Sequence, residues 1–172
     1  MEFTSAREAH FEAISQLVSS PEELYSVCPS GSYPWDYSQI CDISKARSDL
    51  TVCLVDNQVV AFGNLYNVKP SQSAFIGNIV VSDAYKGQGI GRALIEHLSS
   101  QCSELYQAVP YLSVFNYNTR ALLLYTKLGF EPYSAESRIS HDGETVVLLH
   151  MRKKSEYNKA FKTDSQRLAI SV

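Results

Sequence analysis

The sequence has no Cys-x-x-Cys pair. Its cysteines are Cys28, Cys41, Cys53 and Cys102, and His10, His97, His141 and His150 do not cluster around them. That spacing argues against a zinc site, and no metal is expected. A secreted disulfide framework is not expected either, because the opening MEFTSAREAHF carries acids and no long apolar run. No segment approaches the ~20 apolar residues needed to span a bilayer. A positive excess is also lacking: the formal net charge is -3, which speaks against non-specific nucleic-acid binding and mildly suits a cationic small substrate. Repeats and low-complexity linkers are absent. The expected setting is a reducing cytoplasm, with neither nucleic acid nor membrane as partner.

What remains is the composition of one soluble globular domain. The chain has 172 residues, 45% hydrophobic and 19% charged, enough for a sizeable core. SAREAHFEAISQLVS spaces Ala6, Phe11, Ile14, Leu17 and Val18 like an amphipathic helix. SSPEELYSV reads as a second helix, with Ser20 as cap and Pro21 at its first position. CPSGSYPWDYSQ is a loop carrying the only tryptophan, Trp35. A third short helix follows in DYSQICDISKARSD.

The period then changes. TVCLVDNQVVAFGNLYNV reads as two strands turning at Asp56-Asn57-Gln58, and SAFIGNIVVS as a third. IGRALIEHLSSQC is helical, with Ile90, Ala93, Leu94, His97 and Leu98 on one face. VPYLSVF is a strand. NTRALLLYTKLGF is a helix with a left-handed stop at Gly129. EPYSAESRIS is a loop or strand, and ETVVLLHM a final strand. This order predicts a mixed α/β fold with helices on the faces of a sheet. After residue 151 the composition shifts: six Lys/Arg and two acids lie between Arg152 and Arg167, and a basic solvated tail is expected over 152–172.

Between the third strand and its helix lies YKGQGIGRAL, with glycines at 87, 89 and 91. Glycine costs backbone entropy in ordered elements, so three together need a purpose. A glycine turn opening a helix exposes unpaired N–H groups at the positive end of the helix dipole, and glycines let an anion approach them. A P-loop would need Lys-Ser/Thr after the last glycine, but Arg92-Ala93 stand there. A dinucleotide fingerprint would need a third glycine at position 92 or 94, and YLSVF lacks the acid that would hold a ribose.

The stretch resembles the acyl-CoA-binding motif [R/Q]-x-x-G-x-[G/A] of the GCN5-related N-acetyltransferases. It reads Lys86-Gly87-Gln88-Gly89-Ile90-Gly91, with Lys86 in place of the usual Arg or Gln. A second segment resembles the same family's N-x-x-A-x-x-L-Y-x-x-x-G-F pattern: Asn118, Ala121, Leu124, Tyr125, Gly129 and Phe130 all match. The resemblance covers roughly residues 48–150 and is RimI-like. It implies a mixed, mostly antiparallel central sheet of about six to seven strands flanked by helices. The expected unit is one acetyltransferase domain over 1–151, divided into a variable helical acceptor region (1–47) and an acyl-CoA-binding core (48–151).

The spacing of the second segment also has a meaning of its own. Asn118, Ala121 and Tyr125 at i, i+3 and i+7 share a helix face and span about 10 Å. Tyr125 is then either a core aromatic with its hydroxyl at the surface or a working group beside a ligand.

The resemblance further implies acetyl transfer from acetyl-CoA to an amine by direct attack. Backbone N–H groups of Ile79, Val80 and Val81 would hold the pantetheine arm and polarise the carbonyl. The turn from Lys86 through Gly87, Gln88, Gly89, Ile90 and Gly91 to Arg92 would hold the pyrophosphate. Asn118 and Ala121 would line the cofactor arm, and Tyr125 would protonate the departing sulfur. The family's basic glutamates fall where this chain has Ser113 or Phe75, so neither is present. A water chain with backbone carbonyls, or an acid of the N-terminal part such as Asp36, is the expected substitute, and Asp36 is equally readable as a helix cap. Tyr33, Trp35 and Tyr37 are candidates for lining the acceptor pocket, with Trp35 equally readable as a loop anchor. A homodimer through the last strands is a further implication. The competing expectation is an acyl-CoA-binding domain without catalysis.

Overall fold

The computed structural model of the chain describes residues 1–154. Its centre is a seven-stranded sheet ordered β1-β2-β3-β4-β5-β7-β6. The strands are β1 (Glu2–Ser5), β2 (Ser48–Val55), β3 (Gln58–Lys69), β4 (Ser73–Val81), β5 (Val109–Phe115), β6 (Phe130–Ile139) and β7 (Thr145–Lys153). Neighbours pair antiparallel except β4 and β5, which are parallel. The helices are α1 (Phe11–Ser15), α2 (Pro21–Val27), α3 (Tyr37–Ala46), α4 (Ile90–Tyr106) and α5 (Thr119–Lys127).

Local chemistry explains most boundaries. The β2–β3 hairpin turns on Asp56 and Asn57, both left-handed at φ +49° and +62°, a conformation that Asx residues tolerate and that matches strand twist. Ser20 caps α2 by accepting from the Glu23 N–H at 3.1 Å, with Pro21 opening the helix. Gly129, at φ +86°, ends α5 and feeds β6 directly.

Each face of the sheet buries one cluster. Leu94, Ile95 and Leu98 of α4 pack with Ala61, Leu65, Ile76, Leu112 and Tyr125 on one side. Phe11, Ile14, Leu24, Trp35 and Ile40 pack with Val52, Phe62 and Val80 on the other. Alternation along a strand makes this possible: Cys53 and Ala61 face the first cluster, Val52 and Phe62 the second. Leu98 is fully buried, so Leu98→Ala is expected to destabilise the protein by about 2–5 kcal/mol, read from denaturant midpoints.

The structure corrects the sequence reading at its N-terminus. Residues 2–5 form a strand, and the expected long first helix is a 3-10 turn (Glu8–His10) followed by five residues of α1. β1 is held by pairing with Thr51–Leu54, a tertiary cause that four residues of local sequence do not reveal. EPYSAESRIS is strand, not loop. β7 runs two residues past the expected start of the tail, with Arg152 opposite Glu131 and Lys153 opposite Phe130. The rest of the proposed tail, 155–172, lies outside the described residues. No helix among the described residues is long and apolar enough to cross a membrane.

Candidate active site

The site begins where the sheet's parallel pair gives out. β4 and β5 are matched only from Ser73–Val109 to Phe75–Tyr111. Beyond Phe75, β4 keeps β3 as a partner but has none in β5. A register shift between Phe62 and Asn64 and a left-handed Asn78, at φ +50°, mark a bulge in this stretch. Asn78 donates to the Val27 carbonyl at 3.0 Å and accepts from Asn64 at 2.8 Å, which ties the end of α2 beside the gap. The gap is a cavity of about 260 Å³. Its walls come from Ile76–Ile79 of β4, Leu112–Phe115 of β5, Asn118 and Tyr125, residues 26–30 at the end of α2 and just past it, and the last two strands.

The glycine turn sits at one end of β4. Gly87 and Gly89 have φ of +85° and +84°, which side-chain-bearing residues adopt only under strain. Gly89 is the N-cap of the 17-residue α4 and offers no side-chain cap, and no acid stands in the first turn. The first N–H groups of α4 are therefore left for an anion. A methyl at Gly89 would meet nothing within 4 Å, so the glycine reflects backbone conformation and open approach, not crowding. These features fit a pyrophosphate.

The polar side chains of the turn behave differently from expectation. Lys86 does not reach freely toward the turn: its Nζ lies 2.6 Å from Glu23 Oε1 and 2.5 Å from Asp83 Oδ1, so two acids offset its charge. The hydrogen bond from Lys86 holds the Asp83 carboxyl below its ordinary value. Gln88 donates back to the Ala84 carbonyl at 3.1 Å, and Arg92 pairs with Glu96 at 3.1 Å. The cation that overhangs the turn is Arg120 of α5, with Nη2 3.4 Å from the Cβ position of Gly87. Sequence reasoning missed it, because nothing local in NTRALLLY says that the start of α5 faces the start of α4.

Tyr125 is 8% exposed, packs against Phe130 at 6.2 Å between ring centroids, and lines the cavity. Burial pushes its phenol up to about 12, so it stays protonated at every physiological pH. Asn118 also lines the cavity, but it is the N-cap of α5: its Oδ1 accepts from the Ala121 N–H at 3.2 Å. Ala121 is packed against the core beneath α5, so the expected row of three becomes two cavity residues and one core residue. Of the β4 residues, Ile79 lines the cavity, while Val80 is turned into the second cluster and Val81 packs against the first, its Cγ2 3.5 Å from the Cβ position of Gly91 in α4.

The N-terminal candidates lie elsewhere. Trp35 is 4% exposed within the second core cluster, which makes it an anchor of its loop. Asp36 caps α3, its Oδ1 accepting from the Gln39 N–H at 2.9 Å, so the carboxylate is committed locally. The Tyr33 hydroxyl donates to the Ser19 carbonyl at 3.2 Å, and that of Tyr37 to Glu8 at 2.7 Å. None of the four lines the cavity.

The far wall joins Ser113, read from the sequence only as the place of a missing acid, to His150 and Glu136, to which sequence reasoning assigned no role. Ser113 Oγ lies 2.8 Å from His150 Nδ1, and His150 Nε2 lies 3.3 Å from Glu136 Oε1. Arg138 fixes Glu136 through contacts of 2.7 and 3.1 Å and holds its carboxyl below the ordinary value. The Arg47 guanidinium lies 4.1 Å from the Tyr66 ring centroid, and Phe75 packs in tilted contacts between Tyr66 and Tyr111. No group of three or more His, Cys, Asp or Glu placed to hold a metal occurs among the described residues.

The family profile "Acetyltransferase (GNAT) family" matches residues 12–130. The chain therefore belongs to the GNAT family of acetyl-CoA-dependent acetyltransferases. Its relatives include the [ribosomal protein bS18]-alanine N-acetyltransferase of Escherichia coli, 42% identical over 100 residues, which are 58% of this chain and 66% of that protein. The spermine/spermidine N(1)-acetyltransferase of Bacillus subtilis is 29% identical over 78 residues, 45% of this chain and 49% of that enzyme. These matches thus span about half to two-thirds of the relatives' lengths. The fold is that of the Salmonella typhimurium protein yncA, solved with its cofactor acetyl-CoA: TM-score 0.73, 15% identity, 90% of this chain and 93% of that one.

Proposed function

We propose that this protein acetylates a primary amine, with acetyl-CoA entering along β4 and the acceptor meeting it in the cavity between β4 and β5. The observation that carries this reading is the cavity beside the unmatched stretch of β4, which Tyr125 lines, together with the glycine turn that opens α4 just past the end of the same strand.

Acetyl-CoA supplies an activated acetyl group on a thioester. The N–H groups opening α4 bind its pyrophosphate, and Arg120 adds a positive charge there. Arg120→Ala is expected to weaken acetyl-CoA binding several-fold, with the difference shrinking in high salt. Calorimetry at two salt concentrations reads this, and an unchanged Kd removes Arg120 from the site. Backbone N–H groups of the Ile79–Val81 stretch hold the pantetheine arm and polarise the carbonyl.

Tyr125 faces the departing sulfur as a neutral donor. A free thiol ionises near ~8.5, below the raised phenol, so early in the reaction Tyr125 gives a hydrogen bond and not a full proton. The burial that raises the phenol also raises the thiol, which narrows the gap and favours transfer as the sulfur leaves.

The acceptor pocket has aromatic walls and two arginines, Arg47 and Arg138, against one carboxylate, Glu136. That balance suits a peptide or amino-acid amine better than a polyamine. The cytoplasm is the proposed compartment, consistent with four free cysteines. The outer edge of β6, with Tyr133 and Ile139 exposed, is the proposed surface for pairing with a second copy.

Incubating the protein and acetyl-CoA with a peptide bearing a free N-terminal alanine, with a lysine-containing peptide and with spermidine tests this function. An acetylated product with either peptide supports it. The competing reading is an acyl-CoA-binding domain without turnover, and the absence of a carboxylate at Phe75 and Ser113 favours it. Binding without any acetylated product would establish that reading instead.

A further inference from the structure

An amine acceptor reaches the enzyme mostly as an ammonium ion, so a proton must leave before nitrogen can attack. Neither Phe75 nor Ser113 is an acid, and Asp36 is occupied as a helix cap away from the cavity. The cavity nevertheless contains a group able to take the proton.

Ser113 and His150 are cross-strand partners in the β5–β7 pairing, so their side chains leave the sheet on one face. Glu136 lies diagonally across on β6, two residues beyond Ser134, the register partner of His150. The chain Ser113 Oγ, His150, Glu136 is continuous at 2.8 and 3.3 Å, and all three residues line the cavity that also holds Asn118 and Tyr125. Glu136 is held as an anion by Arg138. An anion beside Nε2 favours the tautomer with its proton on Nε2, which leaves the Nδ1 lone pair facing the Ser113 hydroxyl.

We propose that Ser113, His150 and Glu136 form the proton relay that deprotonates the acceptor amine, resting on the acetyl-transfer reading above. The ammonium gives one proton to Ser113 Oγ while the Ser113 hydroxyl proton passes to His150 Nδ1. Serine ends as it began, the amine is neutral, and the imidazolium is stabilised by Glu136 until it returns the proton to solvent. Ser113 touches the substrate; His150 is the acceptor; Glu136 is a positioning residue. The other charged and titratable side chains around the imidazole are Arg138 and Tyr133 of β6, Tyr111 of β5, Tyr66 of β3, Arg47 and Cys28.

The relay works only while His150 is neutral. The kcat/KM profile of the wild type is therefore expected to rise at the same pH whichever amine is used. In His150→Gln only the amine that is already neutral reacts. Its rise therefore moves to the probe's own range: ~8 for a peptide α-amine and ~10.4 for a lysine side chain. At pH 7, kcat falls about 10²-fold, with the KM for acetyl-CoA unchanged. Ser113→Ala reproduces this profile. Glu136→Gln shifts the wild-type limb to lower pH, which a merely structural role would not do.

The alanine peptide and the lysine peptide are the two probes, and circular dichroism and acetyl-CoA affinity verify folding. A wild-type limb that already follows the probe amine, or a His150→Gln profile superimposing on the wild type, overturns the relay. So does a stable acetyl adduct on Ser113 after acetyl-CoA alone, which would make that residue a nucleophile. A wild type that turns over neither probe counts against acetyl transfer itself and is distinguishable from all of these.

Discussion

Tyr125→Phe is expected to lower kcat by about 10²-fold or more while leaving the Kd for acetyl-CoA within about twofold. The ring fills the same space against Phe130, so packing and fold are kept. What is lost is the hydroxyl proposed to face the departing sulfur, and general acid contributions are typically 10²–10⁴-fold. The pH profile sharpens the assignment. Because the phenol is pushed up to about 12, it contributes no alkaline limb below about pH 11. Steady-state kinetics with the alanine peptide between pH 6 and 10 measures both. An unchanged kcat in the phenylalanine variant would remove Tyr125 from the chemistry.

The second large effect is expected at Gly89. Gly89→Val should weaken acetyl-CoA binding by about 10²-fold. Two costs add. A left-handed backbone costs a side-chain-bearing residue ~1–2 kcal/mol. A branched side chain at the N-cap of α4 also keeps the anion from the N–H groups there, and each hydrogen bond to a charged group is worth ~1.5–3 kcal/mol. Each tenfold in affinity is ~1.4 kcal/mol, so a loss of about 3 kcal/mol corresponds to the stated change. Gly89→Ala should lie between wild type and valine, since a methyl there meets no protein atom within 4 Å. Calorimetric titration with acetyl-CoA separates the three proteins, and equal affinities would place the pyrophosphate elsewhere.

The proposed donor half of the site could be read from the sequence because its signals are local. Glycines at 87 and 89 announce a left-handed turn, and the helix after them supplies the N–H groups. Tyr125 was legible from its spacing to Asn118 and Gly129. The acceptor half was not. Ser113, His150 and Glu136 come from three strands, and only the β5-β7-β6 order, with β7 between its neighbours, makes them a chain. Read alone, Ser113 marks a missing acid and His150 a lone histidine in a strand.

The same contrast explains the errors. Lys86 has the right character for a phosphate ligand, but Glu23 arrives from α2, 63 residues earlier in the chain, and takes its charge. Arg120, unremarked in the sequence, stands over the turn instead. Trp35 and Asp36 had plausible local roles in either direction, and tertiary packing chose anchor and cap. β1 was missed because four residues carry too little pattern, and pairing with β2 alone makes them a strand.

The most direct test of the central claim follows both products in one reaction: CoA thiol by a chromogenic reagent and the acetylated alanine peptide by mass. Equal amounts of CoA and acetyl-peptide, with little thiol released when the peptide is omitted, are the predicted result. Saturable acetyl-CoA binding with neither product would contradict it and leave an acyl-CoA-binding domain.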